Sequence, residues 1–568
     1  VRDPRLPAVG KRCCEPSRVG CLGQHGRVSG TGPVTSRVVR ACVAFGLALV
    51  AVACNGAPAK KTDNDVRLGF YSNPSSLSLI GNTDVNSSQL ASVISDGLVA
   101  YDANSQYVPM VARSWEVSPD GLTVTFHLRD GVLWHDGERV TSRDVAYTVK
   151  MAKDPASRAR SYVSSFANVA SIETPDDLTA IAHYAATFAD ELEPWRIPLI
   201  PEHVASKDAN FLDGAFAHHP IGCGPYRFVS FDPGQSVVLE AFDRYWGGRP
   251  AMDRMIIKIL SAERTGFESL MMGQLDLLGV TPDLWRESLT SPAAKGLSRF
   301  VYYRFTAWKI DWNHAQSVPY FQDKRVRRAL ILALDRERYA KTVSAGLARP
   351  AISSYAPESP WADPSITAIP FDPVESGRLL DEAGWRRPAP GKLRQKDGVP
   401  FSFSLIFPAG SQELADRAAA WIQQSLAEIG VEMRIEKLEG EAFKDRRKRQ
   451  SFDAAMASIQ FDATPDRYDL YHTSAKNGGF NYGGFSDAEV DRLLVAGRAT
   501  RDTAARREIY YSLQKRLDDL QPIAFVFQFA QPVLHDAALE GVVPSSVGLF
   551  QFAPGPRAWH WSAERARR

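Results

Sequence analysis

Two Asp-Gly pairs ten positions apart, Asp120-Gly121 and Asp130-Gly131, bracket a run in which Leu122, Val124, Phe126 and Leu128 alternate with Thr123, Thr125, His127 and Arg129. A period of two is that of a strand with one face in a core and one in water. Asp-Gly tolerates positive φ, so both ends read as turns and residues 115–132 as a hairpin. A third pair, Asp136-Gly137, follows, and Thr141 or Ser142, with Asp144 in the first turn, then caps a helix carrying Val145, Val149 and Met151 on one side. Punctuation this dense leaves one local order: hairpin, turn, helix.

The first 53 residues obey different rules. Residues 41–53 are thirteen small or apolar residues preceded by Arg37 and Arg40 and followed by Cys54, the length of a signal-peptide core and short for a membrane span. Ala51-Val52-Ala53-Cys54 resembles a bacterial lipobox, which makes Cys54 the lipidation site, with an ordinary secretory signal as the alternative. Residues 1–33 lack periodicity and read as an upstream extension, since initiation at Val34 would give a compact lipoprotein signal peptide, 34–53. Residues 54–65 are small and polar and read as a tether. Setting aside the leader's eight basic and two acidic residues leaves 59 basic and 63 acidic ones, a net charge of −4. A mildly acidic body gives no support for nucleic-acid binding, and the one basic cluster, 444–450, reads as a solvated helix face. Five of six cysteines lie at or before Cys54, leaving Cys223 alone, so stability rests on core packing. No other apolar run approaches the roughly 20 residues of a span.

Further along, Pro233-Gly234 turns between two strands, and Ile256, Ile257 and Ile259 mark a buried one. Short strands are expected near 66–70, a helix at 87–99, and a helix closed by Gly273 before a strand ending at Val280. Residues 323–343 place Val326, Leu330, Ala333 and Leu334 at helical spacing with charges opposite. Residues 401–407 alternate as a strand, 412–429 form a helix stopped by Gly430, and Val431, Met433 and Ile435 alternate again. Strand, helix, strand with that crossover is a βαβ unit and implies parallel pairing. Ser486 with Glu489 forms a capping box, and 523–529 is apolar enough for a buried strand.

The wording of these segments resembles the family 5 extracellular solute-binding proteins, the peptide- and nickel-type binding components of ABC importers. Residues 109–115, Asp120-Gly121 with Phe126 to Arg129, Trp134-His135-Asp136-Gly137 and 141–145 stand for that family's P-x-L-A-x-S-W, D-G-x-x-x-x-F-x-L-R, F-H-D-G and T-A-x-D-V, in the same order. Gly222-Cys223-Gly224-Pro225-Tyr226 and Tyr245-Trp246-Gly247-Gly248 resemble its G-T-G-P-Y and Y-W-G-G, with Cys223 for Thr and Phe242 for an Asn. The resemblance implies an α/β, two-lobed periplasmic-binding-protein-like fold (type II, cluster C) with a discontinuous first lobe and a hinge. It implies lobe I over 66–306 with an inserted subdomain at about 100–215, lobe II over 307–525, and a return to lobe I over 526–568. The crossings fall near 303–310 and 524–532.

Peptide binders of the family commonly supply an aspartate for the ligand's ammonium in a W-x-x-D-x-x-x-P segment, and Asp462 is the best match here, with Asp466 the alternative if the loop is shifted. Burying an ammonium unpaired costs several kcal/mol, which is why a fixed carboxylate is needed. The usual tryptophan is absent, with Ile459, Gln460 and Phe461 in its place, and a helix-capping role for Asp462 near 465–471 is the competing reading. Phe461 is counted with the ligand-binding residues, as are Ser78 and Leu79, which stand where the family often has L-D-P. No catalytic residue, metal ligand or cofactor is assigned. His135-Asp136 reads as scaffold and His218-His219 as an exposed pair, and the chain has no G-x-x-x-x-G-K-[ST], G-x-S-x-G or H-E-x-x-H.

The expected protein is an exported, lipid-anchored monomer facing the periplasm or cell exterior. It closes around a short peptide and delivers it to an ABC permease and ATPase. The alternatives keep the fold for a nickel chelate, haem, oligosaccharide or other solute, or for a sensor or surface lipoprotein without transport.

Overall fold

The computed structural model describes residues 64–82, 84–154, 166–208, 214–315, 317–409 and 413–563; Cys54 and the leader expected at 1–53 lie outside them. One strand organises the fold. Ile523–Asp536, fourteen residues with only two half-buried, is antiparallel along its first half to Thr306–Trp312 and along its second to Leu297–Tyr303. Those two partners are consecutive in the chain, so the segments expected as crossings, near 303–310 and 524–532, lie side by side on one ladder. Twelve strands join there into a continuous sheet. It runs from Glu432–Leu438 through Ser402–Pro408, Ala454–Gln460 and Thr306–Trp312 to the long strand, then through Leu277–Gly279 and Asp65–Phe70 to Tyr226–Asp232.

The hydrophobic cores change at these crossings. Val66, Leu90, Val124, Trp134, Trp195, Leu239 and Ile257 pack in one cluster that also takes in Val533 and Trp559 and has Phe300 and Tyr302 against it. Trp308, Ile310, Leu330, Phe403, Ile422 and Phe527 pack in a second. A third, smaller cluster joins Tyr101 to Phe305, Phe461, Phe525 and Phe552 beneath the crossings. Each Leu, Ile or Phe side chain buried this way contributes about 1.5–3 kcal/mol.

The hairpin forms as expected. Ala112–Val117 pairs antiparallel with Thr123–Leu128, whose residues alternate half-buried and buried, and Thr179–Tyr184 and Val169–Asp176 extend it to four strands. Thr141 and Asp144 form a capping box before Ser142–Lys153. Ser402–Pro408 and Glu432–Leu438 pair in parallel around the helix Glu413–Glu428, as a βαβ unit requires.

Four expectations shift. The helix expected at 87–99 is Val85–Ile94, because Gly97 brings the chain against the Trp195 carbonyl too closely for a helical turn; a Cβ there would lie 2.8 Å from that oxygen. The helix expected at 323–343 is two, Lys324–Leu332 and Arg336–Thr342, because Asp335 caps the second by accepting from the Arg338 amide at 3.0 Å. Arg327 on the first is buried, donating to the Phe321 and Gln521 carbonyls at 2.6 and 3.0 Å. The cap of Ala488–Ala499 is Asp487, one residue beyond Ser486. The basic helix Gly440–Lys448 buries Phe443, and half-buried Arg447 on it pairs at 2.8 Å with Asp311, itself buried beside Lys309.

Candidate functional site

A cavity of about 270 Å³ has four main walls, drawn from segments distant in sequence. The helix Val85–Ile94 and the turn after it supply one wall. The helix is seated by the G-x-G segment: Gly222 and Gly224 lie flat against its last turn, where a Cβ would approach the Ile94 and Val93 carbonyls to 2.0 and 2.6 Å. The Gly224 amide donates to the Ile94 carbonyl at 2.9 Å. The turn carries Asp96, 5% exposed, whose carboxylate accepts from Tyr245 Oη and Trp246 Nε1, both at 2.8 Å. Burial pushes its pKa up to about 6, against the pull of those two donors and Arg557. The Y-W-G-G segment thus satisfies a buried carboxylate.

A second wall is the short 3-10 turn Glu193–Arg196. Glu193 accepts from Arg196 on one carboxylate oxygen and from the hydroxyls of Tyr101 and Tyr107 on the other, Tyr107 at 2.8 Å. Tyr101 and Tyr107 stack at 5.0 Å, and the Arg196 guanidinium lies 4.0 Å above the Tyr101 ring. Burial raises Glu193 to about 7; Asp462 pushes the same way, while Arg196 and the two hydroxyls oppose. For Arg196 burial works against the charge, but Glu193, Tyr101 and Asp462 together outweigh it and hold the pKa above its ordinary value.

The third wall is Gln460–Ala463, at the end of the strand Ala454–Gln460. Arg467 shapes this loop. It is buried, donates to the Thr464 and Asp466 carbonyls at 2.8 and 2.7 Å, and stacks on Phe461 and Tyr355, each at 4.7 Å. Asp466 is committed, paired with Arg498 at 2.7 Å and accepting from the Tyr468 amide at 2.9 Å. Asp462 is exposed to the cavity and, among the described residues, has no hydrogen-bond or ion-pair partner. It caps no helix: Tyr468–Tyr471 has Arg467 at its cap, and Asp466 takes the nearby amide. The segment from Phe550 to Arg557 closes the fourth side.

Of the four expected ligand-binding residues, Asp462, Phe461 and Leu79 meet at this cavity. Ser78 does not line it. That side chain is 2% exposed and its hydroxyl donates to the Ile80 carbonyl at 2.7 Å, which fixes the turn presenting Leu79. Sequence reasoning missed Glu193 and Arg196. Their signal was an i, i+3 charge pair inside an otherwise apolar, proline-framed run, Leu192 to Pro198, where a solvated pair has no reason to stand.

The residues set aside as scaffold are placed as scaffold. His135 is held by the Gly224 carbonyl at 3.0 Å and the Gly222 amide at 3.3 Å, and Asp136 meets His203 at 2.7 Å. His218 and His219 are exposed, at the end of the helical turn Ala215–His218 rather than on a strand. Among the described residues no group of three or more His, Cys, Asp or Glu is arranged to hold a metal, and no helix is long and apolar enough to cross a membrane.

The sequence signature of the bacterial extracellular solute-binding proteins, family 5, middle region, matches residues 106–481. Protein XP55 of Streptomyces lividans is 32% identical over 496 residues, 85% of this chain and 87% of that protein. The oligopeptide-binding protein AppA of Bacillus subtilis is 26% identical over 507 residues, 85% of this chain and 91% of its own. The structure of AppA in complex with a nonapeptide superposes with a TM-score of 0.75, covering 89% of this chain and 100% of that one at 23% identity. NikZ from Campylobacter jejuni in complex with Ni(L-His) superposes with a TM-score of 0.76 at 22% identity, covering 88% and 99%. The α/β, two-lobed periplasmic-binding-protein-like fold expected from the sequence is the fold of these proteins.

Proposed function

This chain belongs to the bacterial extracellular solute-binding proteins of family 5, and from that premise we propose that it captures short peptides between its two lobes and delivers them to an ABC permease driven by a separate ATPase. The observation that carries the reading is Asp462, a carboxylate facing a four-walled cavity with no partner of its own among the described residues. A peptide's free ammonium is the complement of such a group. Relatives named for peptide binding, AppA among them, support the same choice of solute. The protein acts as a monomer without chemistry of its own, with lobe I over 66–306 and 526–568 and lobe II over 307–525. Cys54 carries the lipid that anchors it outside the cell membrane, and the hinge sits where the two crossings run side by side on Ile523–Asp536.

Mass spectrometry of ligand released from protein purified without refolding tests the solute class. Peptides are expected, and a nickel chelate or oligosaccharide in their place would overturn the reading. Asp462→Ala is expected to weaken the released peptide's binding by roughly 2–5 kcal/mol, because the ammonium is left buried and unpaired. Unchanged affinity by calorimetry would remove Asp462 from the site.

A further inference from the structure

The amide of Gln460 has one orientation, and Arg304 sets it. Gln460 ends the strand Ala454–Gln460, exposed and on the cavity wall two positions before Asp462. Its Oε1 accepts from Arg304 Nη2 at 3.2 Å. The two ends of a side-chain amide are alike in shape, but a guanidinium has donors and no acceptor, so the atom facing Arg304 must be the oxygen. The Gln460 NH2 keeps both protons and, among the described residues, has no acceptor for them. The same rule fixes the residues behind it. Arg349 donates through Nη2 to both Glu358 oxygens at 2.6 Å and through Nε to Gln528 Oε1 at 2.8 Å, with its guanidinium 3.9 Å over the Tyr303 ring. Gln528, 3% exposed, therefore turns its NH2 the other way and donates to the Arg304 carbonyl at 2.8 Å. Arg349 and Gln528 are cross-strand partners on Ala348–Pro350 and Ile523–Asp536, so the series starts from a paired ladder. Each donor along Arg349, Gln528, Arg304 and Gln460 points toward the cavity, and turning the last amide round would set its NH2 against a guanidinium.

We propose that Gln460 is a specificity-determining donor of the cavity, its NH2 offered to a backbone carbonyl oxygen of the ligand near the ammonium that Asp462 receives, and that Arg304 is the positioning residue that holds it so. This rests on the peptide reading above and narrows it. The ligand then has to bring a cation and a hydrogen-bond acceptor together, as the first residues of a peptide with a free amino terminus do.

The test is competitive capture, by the full-length protein stripped of ligand, from a tetrapeptide library with free amino termini. The library is supplied with an all-oxygen backbone and with the carbonyl oxygen of the first, second or third residue replaced by sulfur, a much weaker acceptor. Mass spectrometry of the bound fraction distinguishes the forms. Wild type should hold the all-oxygen form about threefold to tenfold over one of the sulfur forms, the worth of a single hydrogen bond, and Gln460→Ala should bring that ratio to one. Arg304→Met frees the amide to turn and should cut the ratio by at least half, whereas Arg304→Lys, again a donor without an acceptor, should keep it. A residue that served stability alone would not move a ratio read within one sample. Gln460→Glu carries the test if Arg304→Met does not fold: it keeps the bond to Arg304 with a group that only accepts, so the ratio should fall to one or below. Peptide capture by wild type with no preference among the forms, or a preference unchanged in Gln460→Ala or Gln460→Glu, overturns the proposal alone, and a preference unchanged in Arg304→Met overturns the positioning role. Capture of no peptide at all overturns the peptide reading beneath it.

Discussion

Asp190 and Arg506 form a buried ion pair across 316 positions of the chain, and its energetics can be measured directly. Asp190 precedes the turn that carries Glu193, while Arg506 lies on the helix Thr503–Leu520. They pair through both guanidinium nitrogens, Nη1 to Oδ1 at 2.9 Å and Nη2 to Oδ2 closer still, with the side chains 7% and 4% exposed. Removing one partner of a buried pair generally costs 3–5 kcal/mol, since the other charge stays out of water. Asp190→Ala should fall near the low end, about 3 kcal/mol, because Arg506 keeps the Gly497 carbonyl at 2.9 Å and the Ala189 carbonyl at 3.3 Å. Arg506→Met behaves differently. Burial already raises the Asp190 pKa despite the attraction of Arg506, so without Arg506 the carboxyl takes up a proton, and the variant should recover stability as pH falls. The double variant Asp190→Leu, Arg506→Met removes both desolvation costs and should lie within about 1 kcal/mol of wild type. Urea denaturation of the four proteins closes the cycle; for a chain of this size about 3 kcal/mol corresponds to a melting shift of only about 3 °C, so isothermal data decide. A single variant within 1 kcal/mol of wild type, or a double variant as unstable as the two singles summed, would refute the reasoning.

Two further outcomes follow from the same physics. Glu193 has its pKa raised by burial from the ordinary carboxyl range to about 7, so the folded state binds its proton more tightly than the unfolded chain; the associated stability is complete below about pH 4.5 and is lost as pH rises through 7. Between pH 5 and pH 8 this group should cost up to about 3 kcal/mol, and Glu193→Gln should flatten that part of the pH dependence in denaturant titrations; an unchanged slope would mean the carboxyl titrates elsewhere. Gly222→Ala places a Cβ 2.0 Å from the Ile94 carbonyl oxygen, which must push the helix Val85–Ile94 off its seat. Roughly 1–3 kcal/mol of destabilisation is expected, and a melting temperature equal to wild type would contradict the packing.

The parts of the fold that the sequence disclosed are those where one local signal suffices. Alternation between Asp-Gly turns is enough for the strand Thr123–Leu128, and a glycine stop is enough to end Glu413–Glu428. The expectations that shifted depended on contacts made far along the chain. Nothing near Gly97 announces that the Trp195 carbonyl will press against it, and Arg327 looks like a solvated charge until the Leu520 and Gln521 carbonyls arrive to accept its protons. Asp335 is the exception, a capping residue visible in sequence and overridden by a longer apolar period. At the cavity the same division holds. The motif pointed to Asp462, while Glu193 owes its environment to Tyr101 and Tyr107, about ninety positions earlier, which periodicity does not reach.

Asp462 and Asp466 show how the surroundings, rather than the residue type, decide which carboxylate is left open on the cavity. They stand four positions apart on one loop that Arg467 buckles from beneath. Arg498 and the Tyr468 amide claim Asp466, so its charge is neutralised inside the protein and a ligand would have to displace an ion pair to reach it. Asp462 sits where the loop turns outward beside buried Phe461, exposed on the cavity, so a ligand seated against it would strip its water. The cost of dehydrating it is therefore deferred to binding, and only a cation that restores the lost hydrogen bonds can offset it. On the proposed reading, a solute without such a group would bind with the carboxylate stripped and unmatched, a penalty that would select for cations.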